Sequence, residues 1–142
     1  MSGSPPTPRI LETALYAEDL DAAKDFYGRI LALETVTEVS GRHVFFRLAG
    51  SMLLIFNPTV AALGPRPGTL PVPPHGASGP GHVCFAAGAE GLETWRLRFA
   101  AEDIVIEADF HWPNGARSLY VRDPAKNSVE VSSPALWGFS HP

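Results

Sequence analysis

The pattern of apolar and polar residues predicts the same order of elements twice along the chain. Apolar residues recur at helical spacing between Asp19, a favourable helix-capping residue, and Leu31, and again over residues 91–101. Runs of strand character surround both helices and are separated by glycine-containing turns. The predicted strands cover residues 10–17, 33–39, 42–49 and 51–57 in the first half and residues 81–87, 104–110, 116–122 and 128–132 in the second. This order predicts an α+β fold of two βαβββ repeats, whose curved mixed sheets enclose a concave cleft.

A segment rich in proline and glycine separates the two repeats. Of the 24 residues from Pro58 to Gly81, 12 are glycine or proline, which disfavours a long helix or a central strand. The segment is either a plain linker or a lid over the cleft, and protease sensitivity with and without a ligand distinguishes the two. The predicted organisation is an N-terminal tail at 1–9, a first unit at 10–57, a connector at 58–80, a second unit at 81–133 and a C-terminal tail at 134–142.

Polar side chains fall on one face of the predicted strands. Successive residues of a strand point to opposite faces, so Val129 and Val131 pack under a helix while Glu130 faces the cleft. The same alternation predicts that Leu11 and Leu15 are buried. The residues predicted to line the cleft are Glu12, Tyr16, His43, Phe45, Arg47, His82, Cys84, Ser118, Tyr120 and Glu130. This agreement between five strands is the main evidence from the residues for a functional site.

Composition excludes several classes of protein. Apolar residues make up 45% of the chain and charged residues 18%, which is typical of a folded domain. The net charge of −4 argues against nucleic acid and anionic membranes as partners. Cys84 is the single cysteine, so an internal disulfide is impossible. No apolar run is long enough to span a membrane, and the Pro-rich start lacks the features of a signal peptide, so we expect a cytoplasmic protein.

Several motifs are similar to those of the vicinal oxygen chelate superfamily, which contains glyoxalase I, the bleomycin- and fosfomycin-resistance proteins and the extradiol dioxygenases. The matching segments are residues 11–20 (LETALYAEDL), 25–27 (DFY), 30–31 (IL), 81–85 (GHVCF), 119–124 (LYVRDP) and 127–131 (NSVEV). The resemblance covers residues 10–133, nearly the whole chain. It implies a fold of paired βαβββ units, in agreement with the pattern of elements.

The resemblance also implies a set of metal ligands. By position, the ligands fall on Glu12, His82 and Glu130, and the fourth position falls near Leu53, which cannot bind a metal. Two carboxylates and one imidazole suit a divalent ion such as Mn²⁺, Fe²⁺, Ni²⁺ or Zn²⁺. A bound cation also removes the repulsion that two neighbouring carboxylates would otherwise experience. Tyr120 falls where the dioxygenases of the family place a substrate-contacting tyrosine.

Two classes of function follow from the resemblance. The first is a glyoxalase- or dioxygenase-like enzyme, whose divalent metal chelates a small substrate through neighbouring oxygens, with isomerisation, lyase and ring-cleavage chemistry all open. Tyr120 would then orient or protonate the substrate, and Arg47 would neutralise its negative charge. The alternative is a metal-free protein, similar to bleomycin-resistance proteins, that binds and sequesters a small molecule. Family members commonly form homodimers in which opposite halves complete each site, and we expect a homodimer here.

Simpler roles remain for some of these residues. Glu12 could be an exposed carboxylate near the chain start, and Arg47 a surface arginine paired with an acidic neighbour. Phe45, Trp112 and Tyr120 could form either an aromatic wall of the cleft or part of the core. Trp137, beyond the last strand, is a candidate for a contact between subunits, and His75 is the one histidine of the connector.

Overall fold

Two four-stranded mixed sheets form the framework of the computed structural model, which describes residues 3–142. The strands are β1 (Glu12–Tyr16), β2 (Glu34–Val39), β3 (His43–Arg47), β4 (Met52–Phe56), β5 (His82–Ala86), β6 (Ala108–His111), β7 (Arg117–Arg122) and β8 (Ser128–Ser132). The first sheet has the order β1-β4-β3-β2 and the second the order β5-β8-β7-β6. In each sheet the first and last strands of the unit pair in parallel, and the other pairs are antiparallel. The predicted α+β fold of two βαβββ units is confirmed.

The helices begin and end close to the predicted positions. They are α1 (Leu20–Lys24), which continues as a π-helix over Asp25–Ile30, then α2 (Pro58–Ala61), α3 (Ala89–Ala101) and a 3-10 helix at Pro134–Trp137. Asp19 caps α1 as predicted, because its side chain accepts a hydrogen bond from the backbone N–H of Ala22 at 3.0 Å. Within residues 3–142, no helix combines the length and the apolar character needed to cross a lipid bilayer.

Strand β6 is shorter than the alternating pattern predicts. The prediction started this strand at Ile104, whereas β6 starts at Ala108. The residues in between close the end of α3 instead: Asp103 has a φ of 57°, and Ile104 N–H donates to the carbonyl of Phe99 at 2.8 Å. This closure is the usual left-handed ending of a helix, and it takes Ile104 out of the sheet.

The faces of the sheets that carry the helices form the core. The residues of these faces that are at most 1% exposed are Val44, Phe46, Leu53, Ile55, Leu119, Val121, Val129 and Val131. Leu15 is also buried as predicted, whereas Leu11 is 73% exposed. Leu11 precedes β1, so the alternation of the strand does not extend to it. The prediction for Leu11 was therefore wrong.

A buried group of polar side chains connects the two units. The hydroxyl of Tyr27 donates to Asp123 Oδ2 at 2.7 Å, across 96 residues of sequence. The side-chain amide of Asn127 donates to the same carboxylate at 2.9 Å and to the carbonyl of Tyr16 at 3.1 Å. Its oxygen accepts from the backbone N–H of Gly81 at 2.7 Å. These bonds place the start of β5 and the turn before β8 against the end of β1.

The connector packs on the first sheet. It begins with the short helix α2, which the high content of glycine and proline did not predict. The backbone N–H of His75 donates to the carbonyl of Ala61, and its ring Nδ1 lies 2.6 Å from the hydroxyl of Tyr16. The same ring meets Phe56 edge to face, with the ring centroids 4.4 Å apart. His75 therefore attaches the connector to the concave face of the first sheet, which is the face opposite the helices.

Candidate active site

Glu130 lies at the centre of the concave face of the second sheet. It is the middle residue of β8, opposite Cys84 of β5 on one side and Tyr120 of β7 on the other. Its side chain is only 6% exposed, although it carries a carboxyl group. A buried carboxylate is stable only where other groups supply hydrogen bonds or positive charge. The surroundings of Glu130 therefore indicate what this face can bind.

His82 faces one oxygen of this carboxylate. His82 Nε2 lies 3.2 Å from Glu130 Oε1, while His82 Nδ1 lies 3.0 Å from the backbone carbonyl of Ser128. Because a carbonyl oxygen only accepts hydrogen bonds, the proton of a neutral ring is on Nδ1. The lone pair of Nε2 then points at a carboxylate oxygen, an arrangement that is unfavourable unless a positive charge lies between the two atoms. A proton on either side chain, or a metal ion between the two atoms, relieves this repulsion.

One serine contacts the other oxygen of Glu130, and a second serine and a tryptophan contact that serine. Ser118 Oγ lies 2.7 Å from Glu130 Oε2 and 2.8 Å from Ser132 Oγ, and the indole Nε1–H of Trp112 donates to Ser118 Oγ at 2.8 Å. The alternating pattern placed Ser118 on the cleft side but did not suggest its contact with Glu130. The roles of Ser132 and Trp112 were missed, although Ser132 has the same parity as Glu130 in β8.

Glu130 also influences its two cross-strand neighbours. Burial raises the pKa of the Cys84 thiol to about 12, and the charge of Glu130 adds to the effect. Burial, together with the same charge, raises the pKa of the Tyr120 hydroxyl to about 12. Both groups therefore keep their protons at neutral pH. Tyr120 can donate a hydrogen bond to a substrate oxygen, whereas Cys84 is a neutral thiol and a poor nucleophile.

Aromatic rings extend across this face from His82. The rings of His82 and Tyr120 are nearly parallel, with centroids 6.3 Å apart, and Tyr120 and Phe110 are parallel at 5.9 Å. Trp112 meets Phe110 edge to face at 4.9 Å. The structure thus places Tyr120 and Trp112 of the suggested aromatic wall together and adds Phe110, which the sequence analysis missed. Phe45 lies on the first sheet, where its ring stacks on His43 at 4.0 Å.

The other two residues suggested for the site lie on the first sheet. Glu12 is exposed and is the first residue of β1, opposite Met52. Among residues 3–142 there is no group of three His, Cys, Asp or Glu side chains close enough to hold a metal ion. A single chain therefore brings His82 and Glu130 together without Glu12. Arg47 lies at the end of β3, where its guanidinium forms an exposed ion pair with Glu34 at 3.2 Å.

The resemblance placed a fourth ligand position near Leu53, on β4 of the first sheet. Leu53 pairs with Phe46 and is fully buried on the helix side of the first sheet. Leu54 occupies the concave face instead, because it pairs with Ala14 of β1 just as Glu130 pairs with Cys84 of β5. By register, Leu54 is therefore the residue equivalent to Glu130; it lies next to the predicted Leu53, and both residues are apolar.

Comparisons with known proteins agree with this architecture. The family model of the glyoxalase/bleomycin resistance protein/dioxygenase superfamily matches residues 9–131. A crystal structure of lactoylglutathione lyase from Agrobacterium tumefaciens is similar at 46% identity and a TM-score of 0.90, covering 95% of this chain and 100% of that chain. A glyoxalase/bleomycin resistance protein/dioxygenase from Nocardioides, at 21% identity and a TM-score of 0.70, covers 92% of this chain and 85% of that chain and shares the fold. A search of the curated proteins found no match.

The family match extends over both βαβββ units and over all the strands that carry the candidate residues, except the last residue of β8. The similarity to the Agrobacterium protein extends over nearly the full length of both chains. Sequence, topology and these comparisons therefore support one conclusion. The chain belongs to the glyoxalase/bleomycin resistance protein/dioxygenase superfamily.

Proposed function

We propose that this protein is a glyoxalase-like enzyme that uses a divalent metal ion to bind a small substrate through two neighbouring oxygens. The observation that carries the proposal is the pair formed by His82 Nε2 and Glu130 Oε1, 3.2 Å apart, whose two donor atoms face each other at a distance that a divalent metal ion can bridge. The similarity to a lactoylglutathione lyase at 46% identity supports lyase-type chemistry. Activity toward lactoylglutathione is therefore the first activity to measure.

The donor atoms fit a metal ion. Protein nitrogen and oxygen ligands lie about 2.0–2.2 Å from Zn²⁺, so two ligands at roughly a right angle are about 3 Å apart. The observed separation of 3.2 Å between His82 and Glu130 is compatible with this requirement. An imidazole combined with carboxylates suits Mn²⁺, Fe²⁺, Ni²⁺ or Zn²⁺. Such an ion, when bound, acts as a Lewis acid that stabilises negative charge developing on substrate oxygens.

Two protein ligands are fewer than such a site needs, because catalytic metal sites use about three. Glu12 is the remaining candidate, and in a single chain it lies on the other sheet. We infer that Glu12 of a second copy completes the site in a homodimer, so that each site combines opposite halves of two chains. Light scattering is then expected to give twice the 15.3 kDa mass of the chain. A mass that stays at one chain over a wide concentration range would contradict the dimer.

The remaining polar groups have roles that follow from their state. The Tyr120 hydroxyl, protonated at neutral pH, donates to a substrate oxygen next to Glu130. Arg47, on the concave side of the first sheet, attracts a negatively charged group of the substrate in the dimer. The aromatic rings beside Tyr120 cover the apolar part of the substrate and exclude water from it.

A metal-free binding protein is the second candidate. The observation that favours it is Leu54, which places an apolar side chain at the position equivalent to Glu130 in the first sheet. The concave face around it is also aromatic, with Phe45 and Phe56 in edge-to-face contact at 5.2 Å. Such a surface suits capture of an apolar small molecule without any chemical step.

Metal content separates the two candidates. The wild type is dialysed separately against Mn²⁺, Fe²⁺, Ni²⁺ and Zn²⁺, and the bound metal is measured by elemental analysis. We expect about one ion per chain in the wild type and a large loss in His82→Ala and Glu130→Gln. Glu90→Gln, on the exposed surface of α3, is the matched control and is expected to retain the metal. A wild type that holds no more metal than Glu130→Gln would leave the binding protein as the function.

A mixing experiment tests the shared site. Glu12→Gln and Glu130→Gln each remove a ligand from every site of a homodimer. When the two variants are unfolded together and refolded, a mixed dimer has one site with both substitutions and one site with neither. Random pairing then restores about a quarter of the sites, measured as bound metal and as activity. If both variants fold and the mixture recovers neither bound metal nor activity, Glu12 of a second copy does not complete the site.

A further inference from the structure

A chain of hydrogen bonds, partly buried at Trp112 and buried at Ser118, ends at Glu130. It runs from the indole of Trp112 to Ser118 Oγ at 2.8 Å, and from Ser118 Oγ to Glu130 Oε2 at 2.7 Å. Ser118 is fully buried, and Ser132, whose hydroxyl lies 2.8 Å from that of Ser118, is 3% exposed. Within residues 3–142 none of these three side chains forms a hydrogen bond with His82, so they act on a group bound between His82 and Glu130 through Glu130.

The direction of these bonds is determined by the chemistry of the end groups. The indole N–H of Trp112 can only donate, so Ser118 Oγ accepts from it. An ionised carboxylate can only accept, so the single proton of the Ser118 hydroxyl goes to Glu130 Oε2. Ser132 can then only donate to the remaining lone pair of Ser118, or donate to a backbone carbonyl. The bonds donated by Trp112 and Ser118 therefore both run towards Oε2, whereas Oε1 is the oxygen that faces His82.

We propose that Trp112 and Ser118 are positioning residues, which hold Glu130 Oε2 so that Glu130 binds the metal through Oε1 alone. The inference rests on the proposed function, since it assigns a role towards the proposed ion. A carboxylate whose second oxygen is occupied cannot turn to bind an ion with both oxygens, and it keeps its charge without solvent. The pair of residues thus sets the geometry and the affinity of the metal site from beside Glu130, on the same face of the sheet.

The first sheet supports this interpretation. By cross-strand register, His43, Leu54 and Phe56 occupy the positions of Ser118, Glu130 and Ser132. The sheet that has no carboxylate at its centre also has no serine hydroxyls around that position. Hydroxyl groups in the core are needed only where a polar group requires them, because an unpaired buried hydroxyl is destabilising. The serines of the second sheet therefore belong to Glu130.

Calorimetric titration with Zn²⁺ and with Mn²⁺ tests the proposal. Replacement of outer groups of this kind lowers metal affinity about 10- to 100-fold, and we expect a loss of this size in Ser118→Ala. Trp112→Phe keeps the aromatic contact with Phe110 and removes only the N–H, so a smaller loss of about several-fold is expected. The matched control Trp95→Phe, whose ring packs on Phe99 in α3, is expected to bind like the wild type.

The indole N–H signals give a second measurement that is independent of activity. The chain has three tryptophans, and Trp112→Phe assigns the signal of Trp112 in an ¹⁵N-labelled sample. Adding Zn²⁺ to the wild type is expected to move this signal and to leave that of Trp95 in place. In Ser118→Ala the shift on adding Zn²⁺ should vanish. A merely structural role of Trp112 would leave its signal insensitive to the metal.

The possible failures are distinguishable. If Ser118→Ala does not fold by circular dichroism, Trp112→Phe and the indole signal still decide the question. A wild type that binds no metal overturns both the proposed function and this proposal. A wild type that binds metal, with unchanged affinity in Trp112→Phe and Ser118→Ala and no shift of the Trp112 signal, overturns this proposal alone.

Discussion

The two sheets of this protein have the same strand pairing, but their concave faces carry chemically different side chains. In each unit the first strand pairs in parallel with the last strand at the same register, so Glu12 corresponds to His82 and Leu54 corresponds to Glu130. The concave face of the first sheet carries aromatic rings, including the stacked pair of His43 and Phe45. The concave face of the second sheet carries a buried carboxylate with its hydrogen-bond partners.

The difference shows which face of such a sheet determines the fold. The helix-facing sides of both sheets are apolar and buried, for example at Ile55 in the first sheet and Val131 in the second. Burial of these residues stabilises both units by the same hydrophobic effect. The concave faces contribute less to this core than the helix-facing sides do. Their residues can therefore differ between the two units. The candidate residues His82 and Glu130 therefore lie in the second unit, while the corresponding face of the first unit carries Glu12, Arg47 and aromatic rings.

The largest effect is expected when Glu130 of the second sheet is replaced by leucine, the residue at the equivalent position of the first sheet. Glu130→Leu removes the central carboxylate, and metal affinity should fall by about 100-fold or more, because a charged ligand is lost. Titration calorimetry with Zn²⁺ measures the change, and Glu130→Gln separates the loss of charge from the change in shape. Metal binding by Glu130→Leu at wild-type affinity would show that the carboxylate is not a ligand.

The reverse substitution places a carboxylate in the first sheet without the serines that accompany Glu130. Leu54 is 8% exposed, so Leu54→Glu buries an unpaired charge and is expected to lower the free energy of unfolding by about 3–5 kcal/mol at neutral pH. Burial raises the pKa of the introduced carboxyl group, so this loss should become smaller as the pH falls and the group is protonated. Urea unfolding measures the loss, with Leu54→Gln as the uncharged control. Equal losses for both variants at all pH values would contradict the assignment of the effect to charge.

A smaller effect is expected at the contact between the units. Tyr27 is fully buried, and Tyr27→Phe removes its hydrogen bond to Asp123. Asn127 still donates to this carboxylate, so the loss in unfolding free energy should be about 1–2 kcal/mol. Tyr16→Phe, which removes the contact with His75 of the connector, is the matched control and should cost less, because that contact is only partly buried. The opposite order in urea unfolding would make the connector, and not the buried polar group, the stronger link.

The smallest effect on stability is expected when two arginines that occupy equivalent positions in the two sheets are replaced by alanine. Arg47 pairs with Glu34 and Arg122 pairs with Glu107, both at exposed positions. Because solvent screens such pairs, Arg47→Ala and Arg122→Ala should leave the urea midpoint nearly unchanged. If Arg47 attracts the substrate, Arg47→Ala should raise KM while Arg122→Ala leaves it unchanged. Equal KM values in both variants would remove Arg47 from the site.

The sequence by itself determined the elements of the fold and the faces of most strands. Helix capping at Asp19 and alternation along strands such as β3 and β8 depend on residues close together in the chain. Local patterns therefore predicted the ends of seven strands to within two residues. They failed at the start of β6, because Ile104 closes the end of α3 instead of entering the sheet. The same parity placed His82 and Glu130 on one face, where the structure brings them to 3.2 Å.

Only the tertiary structure decided the register of the sheets and the surroundings of Glu130. Whether Leu53 or Leu54 faces the cleft depends on which residues of β1 and β3 lie opposite β4, and a shift by one residue reverses every side chain. The hydrogen bond from Trp112 to Ser118 forms because the turn between β6 and β7 brings the two residues together. Glu12 is separated from His82 because the two residues belong to different sheets. These features arise from contacts between residues far apart in the chain, which local propensity and alternation do not encode.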